Sequence, residues 1–142
     1  MLLADAAQVA EGKLNILGGG WDVCGPGPTP MAIAVKLEIP PSQTRRKHTW
    51  SVELVDENSQ PVFLDTAEGE KSAVSIHGQI ERIRDRKSPP PDEPVSVRFT
   101  INMVPLPLEP GTKYAWRLTI DNKTRTDWHV SFRTRPATAQ SS

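Results

Sequence analysis

Met31-Ala32-Ile33-Ala34-Val35-Lys36-Leu37-Glu38-Ile39 places a bulky apolar residue at every odd position and a small or charged residue at every even one. Side chains of a strand point alternately to its two faces, so this period of two predicts a strand with one face toward a core and the other toward solvent. Val95-Ser96-Val97-Arg98-Phe99-Thr100-Ile101-Asn102-Met103 repeats the pattern without a break. Trp50, Val52 and Leu54 alternate in the same way, as do Tyr114, Trp116, Leu118 and Ile120, and then Trp128, Val130 and Phe132. Each predicts a further half-buried strand.

Outside these five segments the signal is shorter. Residues 13–18 alternate around Leu14 and Ile16, residues 62–64 form a brief apolar run, and residues 74–83 alternate in part. Val74 and Ile76 share one parity and Ile83 has the other, so the glycine between them, Gly78, predicts a bulge. Residues 3–9 are alanine-rich and lead into Glu11-Gly12-Lys13, a hairpin signal that makes them the first strand rather than a helix. Gly25-Pro26-Gly27-Pro28, Pro40-Pro41, Pro89-Pro90-Pro91 and residues 105–110 cannot lie in a central strand and are loops. Residues 87–94 are expected to be mobile, and residues 136–142 have the composition of a disordered tail. The expectation is an all-β, antiparallel sandwich of about eight or nine strands, one domain over residues 1–135 followed by the tail 136–142.

A chain of 142 residues can bury roughly 70% of its unfolded surface, enough for one core without staples. Lys plus Arg and Asp plus Glu number 17 each, so no global field draws the chain to nucleic acid or to an acidic membrane. Basic residues gather at Arg45, Arg46 and Lys47 and at Arg82, Arg84, Arg86 and Lys87, while residues 53–70 carry six acids and no base. Cys24 is the only cysteine, which precludes an internal disulfide and favours a reducing compartment. The opening residues lack a basic leader region and meet Asp5 early, and no apolar run approaches the ~18 residues of a membrane span, so the expected location is the cytoplasm. Asn122-Lys123-Thr124 fits a glycosylation pattern and, without an export signal, is expected to be a turn between strands.

The segment Leu106-Pro107-Leu108-Glu109-Pro110-Gly111-Thr112-Lys113-Tyr114 resembles the entry to the penultimate strand of fibronectin type III and related immunoglobulin-like domains. The resemblance implies that Tyr114, the only tyrosine, forms a tyrosine corner, with its ring in the core and its hydroxyl bonded back to the connecting backbone. A wider likeness is carried by residues 3–9, by Gly12-Lys13-Leu14-Asn15-Ile16-Leu17-Gly18-Gly19-Gly20-Trp21-Asp22, by Leu54-Val55-Asp56 and by the strands at Tyr114 and Trp128. On these the chain resembles a family of uncharacterised small bacterial proteins, largely actinobacterial. That family implies no activity, cofactor or partner.

Chemistry-bearing patterns are sparse. Gly18-Gly19-Gly20 could cradle an anion, but no Gly-Lys-Ser/Thr and no helix follow it, which favours a close backbone crossing. His48, His77 and His129 lie on three separate segments with no paired ligand spacing, and His77 and His129 fall at outward parity, so no metal is assigned. Cys24 lacks a cationic setting that would activate it, and no Gly-x-Ser-x-Gly elbow occurs. Asp56, Glu57, Asp65, Asp121 and Asp127 sit in or beside turns, where aspartate serves its own backbone, and no dense Asp-x-Asp cluster suggests calcium. Of the four tryptophans, Trp50, Trp116 and Trp128 share the apolar parity, leaving Trp21 as the candidate exposed platform.

The expected function is therefore a non-catalytic protein-interaction or assembly module, with edge-to-edge self-association as its simplest form. The alternative is a small-ligand sandwich of carbohydrate-binding type, and an enzyme with an unfamiliar site ranks last. The candidate contact surface is Trp21, Arg45, Arg46 and Lys47. No catalytic residue and no cofactor is expected.

Overall fold

In the computed structural model, residues 1–66, 68–81, 90 and 92–137 are described. The basic cluster Arg82 to Lys87, most of the segment expected to be mobile and residues 138–142 of the tail lie outside the described residues. The chain forms β1 (Leu2–Ala4), β2 (Ala6–Ala10), β3 (Lys13–Leu17), β4 (Val23–Cys24), β5 (Met31–Ile39), β6 (His48–Asp56), β7 (Phe63–Asp65), β8 (Lys71–Ala73), β9 (Ser75–Ile80), β10 (Val95–Met103), β11 (Lys113–Ile120) and β12 (His129–Thr134). The fold is all-β, built from several sheets of which none is closed.

The two longest alternating segments become neighbours. β5 pairs antiparallel with β10 from Ile39 opposite Val95 to Met31 opposite Met103, and β1 pairs on the other side of β5, giving the three-stranded sheet β1-β5-β10. The remaining alternating segments build the five-stranded sheet β4-β12-β11-β6-β9, in which the two-residue β4 runs parallel to β12 and the other pairs are antiparallel. The apolar faces of these sheets share one core. Met31, Ile33, Val35 and Ile101 come from one sheet, and Val52, Leu54, Trp116, Leu118 and Phe132 from the other. Trp116, fully buried, donates its indole N–H to the Met31 sulfur at 3.1 Å, and Trp50 stacks on Phe99 with ring centroids 4.6 Å apart.

Three expectations are corrected. β5 is not half-buried along its whole length, because Ala32 and Ala34, on the face read as solvent-exposed, are 0% and 3% exposed. The β2–β3 hairpin folds over that face, and Ala4, Ala7, Ala32 and Ala34 form a second small cluster under it. Alanine is what lets a hairpin approach the back of a sheet so closely. The first strand of residues 3–9 is split at Asp5, where the chain leaves the three-stranded sheet to enter the hairpin, and its N–H bonds to the Leu17 carbonyl at 3.0 Å. That split, with the short β4 and β8, raises the strand number from the expected eight or nine to twelve among the described residues. Finally, β9 keeps an unbroken register against β6 from Ser75 opposite Glu53 to Ile80 opposite His48, so no bulge occurs at Gly78. The glycine instead makes room for a ring: a Cβ there would stand 2.3 Å from Cζ2 of Trp50.

The turns follow their sequences. Glu11 and Gly12 both have positive φ, 52° and 71°, the two-residue hairpin geometry whose twist matches the flanking strands. Asp121 and Asn122 adopt the same geometry, at 50° and 64°, so the Asn122-Lys123-Thr124 triplet opens in a turn as expected. Asn102 replaces strand pairing with side-chain pairing. Its amide donates to the Ala7 carbonyl at 2.7 Å and its carbonyl oxygen accepts the Ala7 N–H at 3.1 Å, fastening the hairpin to β10. The Tyr114 hydroxyl accepts the Glu109 N–H at 3.0 Å while its ring stacks on Phe132.

Candidate functional site

Period two gives the five-stranded sheet a second face, and register decides what meets there. Val55 on β6, Ala115 on β11 and Ser131 on β12 lie directly opposite one another, all pointing away from the core. These three side chains are small, and together they floor an open trough of about 790 Å³ across the strands. One rank of residues further along each strand forms a wall from Glu53, Arg117 and His129, again in register. In the other direction Lys113 lies opposite Arg133, which is paired in turn with Val23 at the sheet edge. Opposite residues on one face of an antiparallel pair approach to about 5 Å, so Lys113 and Arg133 are a like-charge pair.

The charges of the trough differ in how they are compensated. Arg117 donates its Nε–H to Glu53 at 3.1 Å and its second guanidinium nitrogen to the same oxygen. Asp56 is engaged with its own turn, its Oδ1 accepting the N–H groups of Asn58 at 2.8 Å and Gln60 at 3.0 Å. Arg125 lies over the Trp128 ring, 5.3 Å from its centroid. Among the described residues no carboxylate lies within ion-pair distance of Lys113 or Arg133. Asp22 and Glu57 stand at the two ends of the trough, one beside β4 and one in the turn after β6.

At the far end of β6 a second polar cluster has a different character. His48, 2% exposed, faces the Asp121 carboxylate with Nδ1 at 2.6 Å and the Gln43 carbonyl with Nε2 at 2.7 Å. Both partners are acceptors, so each can take a hydrogen bond from the ring nitrogen that faces it. Asp121 also accepts the Thr49 N–H at 3.0 Å, and Arg46 approaches it at 3.4 Å. The His48 and Thr49 hydrogen bonds hold the Asp121 carboxyl below its ordinary value, the nearby positive charges adding to their effect. The cluster ties the loop before β6 to the turn after β11.

The candidate contact residues do not assemble into one surface. Trp21 is half-buried, packed edge-on against Phe132 at 6.1 Å, with its indole nitrogen buried and unbonded. Phe132 is in register with Tyr114, which lies opposite Asp56, the last residue of β6. Arg45, Arg46 and Lys47 are exposed but directly precede His48, the first residue of β6. The eight steps between the ends of β6 span roughly 27 Å, so Trp21 and the basic triplet occupy opposite ends of the sheet. Gly20 and Gly18 have positive φ, and Gly18 and Gly19 crowd Asp5 and Ile16, a close crossing of chain. Cys24 is buried, and burial pushes its thiol up.

His77 and His129 are exposed as parity predicts, and His77 accepts or donates a bond to the Ser75 hydroxyl at 3.0 Å on the same face of β9. Among the described residues no three His, Cys, Asp or Glu side chains gather into a set able to hold a metal ion. No helix of the described chain is long and apolar enough to cross a membrane.

The reading of the sequence missed both the trough and the His48–Asp121 pair. The trough depends on register between residues 16 and 60 positions apart, which period two alone does not specify. His48 did carry a signal, since it shares the inward parity of Trp50, Val52 and Leu54.

Fold and site together define a small all-β scaffold that presents a charged, small-floored trough on the outer face of its larger sheet. The chain belongs to a family of unknown function, DUF6941, which matches it over residues 1–133. No curated protein and no solved structure matches the chain.

Proposed function

We propose that this chain is a non-catalytic binding module whose protein partner seats in the trough over Val55, Ala115 and Ser131. The observation that carries the reading is the row of three small residues in register, walled on both sides by long polar side chains. A sheet surface that faced only water would have no reason to keep a recessed floor flanked by a like-charge pair. A rigid sheet also presents such a surface with little ordering cost on binding. The two layers are read here as an immunoglobulin-like sandwich. Support comes from the N-terminal strands, which supply an antiparallel edge to one sheet through β1 and a parallel edge to the other through β4, and from the Tyr114 hydroxyl bond to Glu109. A buried, unpaired Cys24 fits a reducing compartment such as the cytoplasm.

A small-molecule ligand is the second reading, favoured by a trough volume within the usual range of ligand pockets. A carbohydrate platform built on Trp21 has less support, because that ring is spent on Phe132.

The test fills the floor. Ala115→Trp is compared with the wild type in affinity capture from source lysate, alongside melting curves for both. The reading predicts a captured protein that the filled variant loses while keeping its melting temperature. Equal capture by a folded Ala115→Trp protein rejects the trough as the binding surface.

A further inference from the structure

Resting on that reading, we infer that the segment held by the trough is acidic: an extended stretch of the partner polypeptide whose carboxylates settle on Lys113 and Arg133. Directly opposed like charges on neighbouring strands repel, and among the described residues neither of these two has an anionic partner within 4 Å. A carboxylate placed between them converts that repulsion into two charge-assisted contacts, with the Arg133 guanidinium able to bind it bidentately. Across the floor, Arg117 and His129 add a second polar wall, and Arg117 is already half-committed to Glu53. The Ser131 hydroxyl lies between the walls, free to bond a backbone group of the occupant.

Geometry sets the occupant's length. From β6 to β4 the trough crosses three inter-strand spacings of roughly 4.8 Å, about 14 Å in all, the length of about four extended residues. Asp22 and Glu57 at its ends repel an anion, so the charges that hold the occupant are those of its central residues. The chain as a whole is neutral, so recognition is local to the trough and does not arise from net attraction.

The test uses a hexaglutamate peptide, with hexaglutamine as its uncharged counterpart, titrated into the 142-residue chain at low salt and followed by amide chemical shifts. The prediction is saturable shifts centred on Val55, Ala115 and Ser131 with hexaglutamate, and binding at least about tenfold weaker in Lys113→Glu/Arg133→Glu. A milder pair, Lys113→Gln/Arg133→Gln, gives a smaller loss and guards against misfolding of the reversed one. Arg45→Glu/Lys47→Glu changes the net charge identically at the opposite end of the sheet and is predicted to bind as the wild type does. Equal loss in both reversed proteins, or shifts centred on residues 45–47, overturns the inference. Hexaglutamine binding in the trough as tightly as hexaglutamate also overturns it, yet leaves the binding-module reading standing. That reading falls separately, by undiminished capture in Ala115→Trp.

Discussion

His48 and Asp121, 73 positions apart, meet at 2.6 Å, and the same imidazole holds the Gln43 carbonyl through its other nitrogen. Three segments are thereby joined at one end of the larger sheet: the loop before β6, the first residue of β6 and the turn after β11. Removing the carboxylate leaves the buried His48 N–H and the Thr49 N–H without their acceptor. Asp121→Ala is expected to cost about 2 kcal/mol, read as a lower denaturant midpoint at unchanged slope. A midpoint unchanged within error would mean that the cluster adds nothing to stability.

The same pair fixes the sign of an acid effect. The folded-state value of Asp121 is lowered, chiefly by His48, so the stability it contributes is fully present above the unfolded carboxyl value of about 3.9 and is lost as pH falls through the lower folded value. The stability gap between the wild type and Asp121→Asn is therefore expected to be widest near neutrality and to narrow steadily below about pH 4. Chemical unfolding of both proteins between pH 7 and pH 2 measures it. A gap of constant size would show that the carboxylate charge is not what the cluster uses.

Asn102 is the fastener of the β2–β3 hairpin, through two bonds to one residue, Ala7. Asn102→Ala leaves the Ala7 N–H and C=O unpaired against the sheet, at about 1–3 kcal/mol. Hydrogen exchange is expected to quicken in residues 6–17 and to stay slow in β6 and β11. Uniform acceleration across the chain would show that the hairpin opens only with the whole molecule.

Gly78 and Trp50 share one space. A Cβ at position 78 would lie only 2.3 Å from the indole, which leaves no room for even a methyl group. Gly78→Ala is expected to push the ring off Phe99 and destabilise the fold by about 1–3 kcal/mol, with a changed near-ultraviolet circular dichroism signal. Trp50→Phe in the Gly78→Ala background is expected to recover part of the loss. A Gly78→Ala protein as stable as the wild type would mean that the ring relocates freely.

Much of the fold was legible because alternation is a local property. β5, β6, β10, β11 and β12 each announce themselves within nine residues or fewer, and Glu11-Gly12 names its own turn. What was not legible depends on partners. Ala32 and Ala34 look like any small residues on a solvent face until a hairpin is laid over them, and Gly78 looks like a bulge until Trp50 is placed above it. Among the site residues, Arg45, Arg46 and Lys47 were visible as a charge run but not their distance from Trp21. Val55, Ala115 and Ser131 carried no signal in sequence at all, since smallness has meaning there only when the three are side by side.

The most direct measurement is photo-crosslinking with a benzophenone amino acid placed at position 115 and, in a second protein, at position 45. The trough account predicts a discrete covalent adduct with a partner polypeptide from position 115, abolished by Lys113→Glu/Arg133→Glu, and none from position 45. An adduct from position 45 with none from position 115 would contradict it.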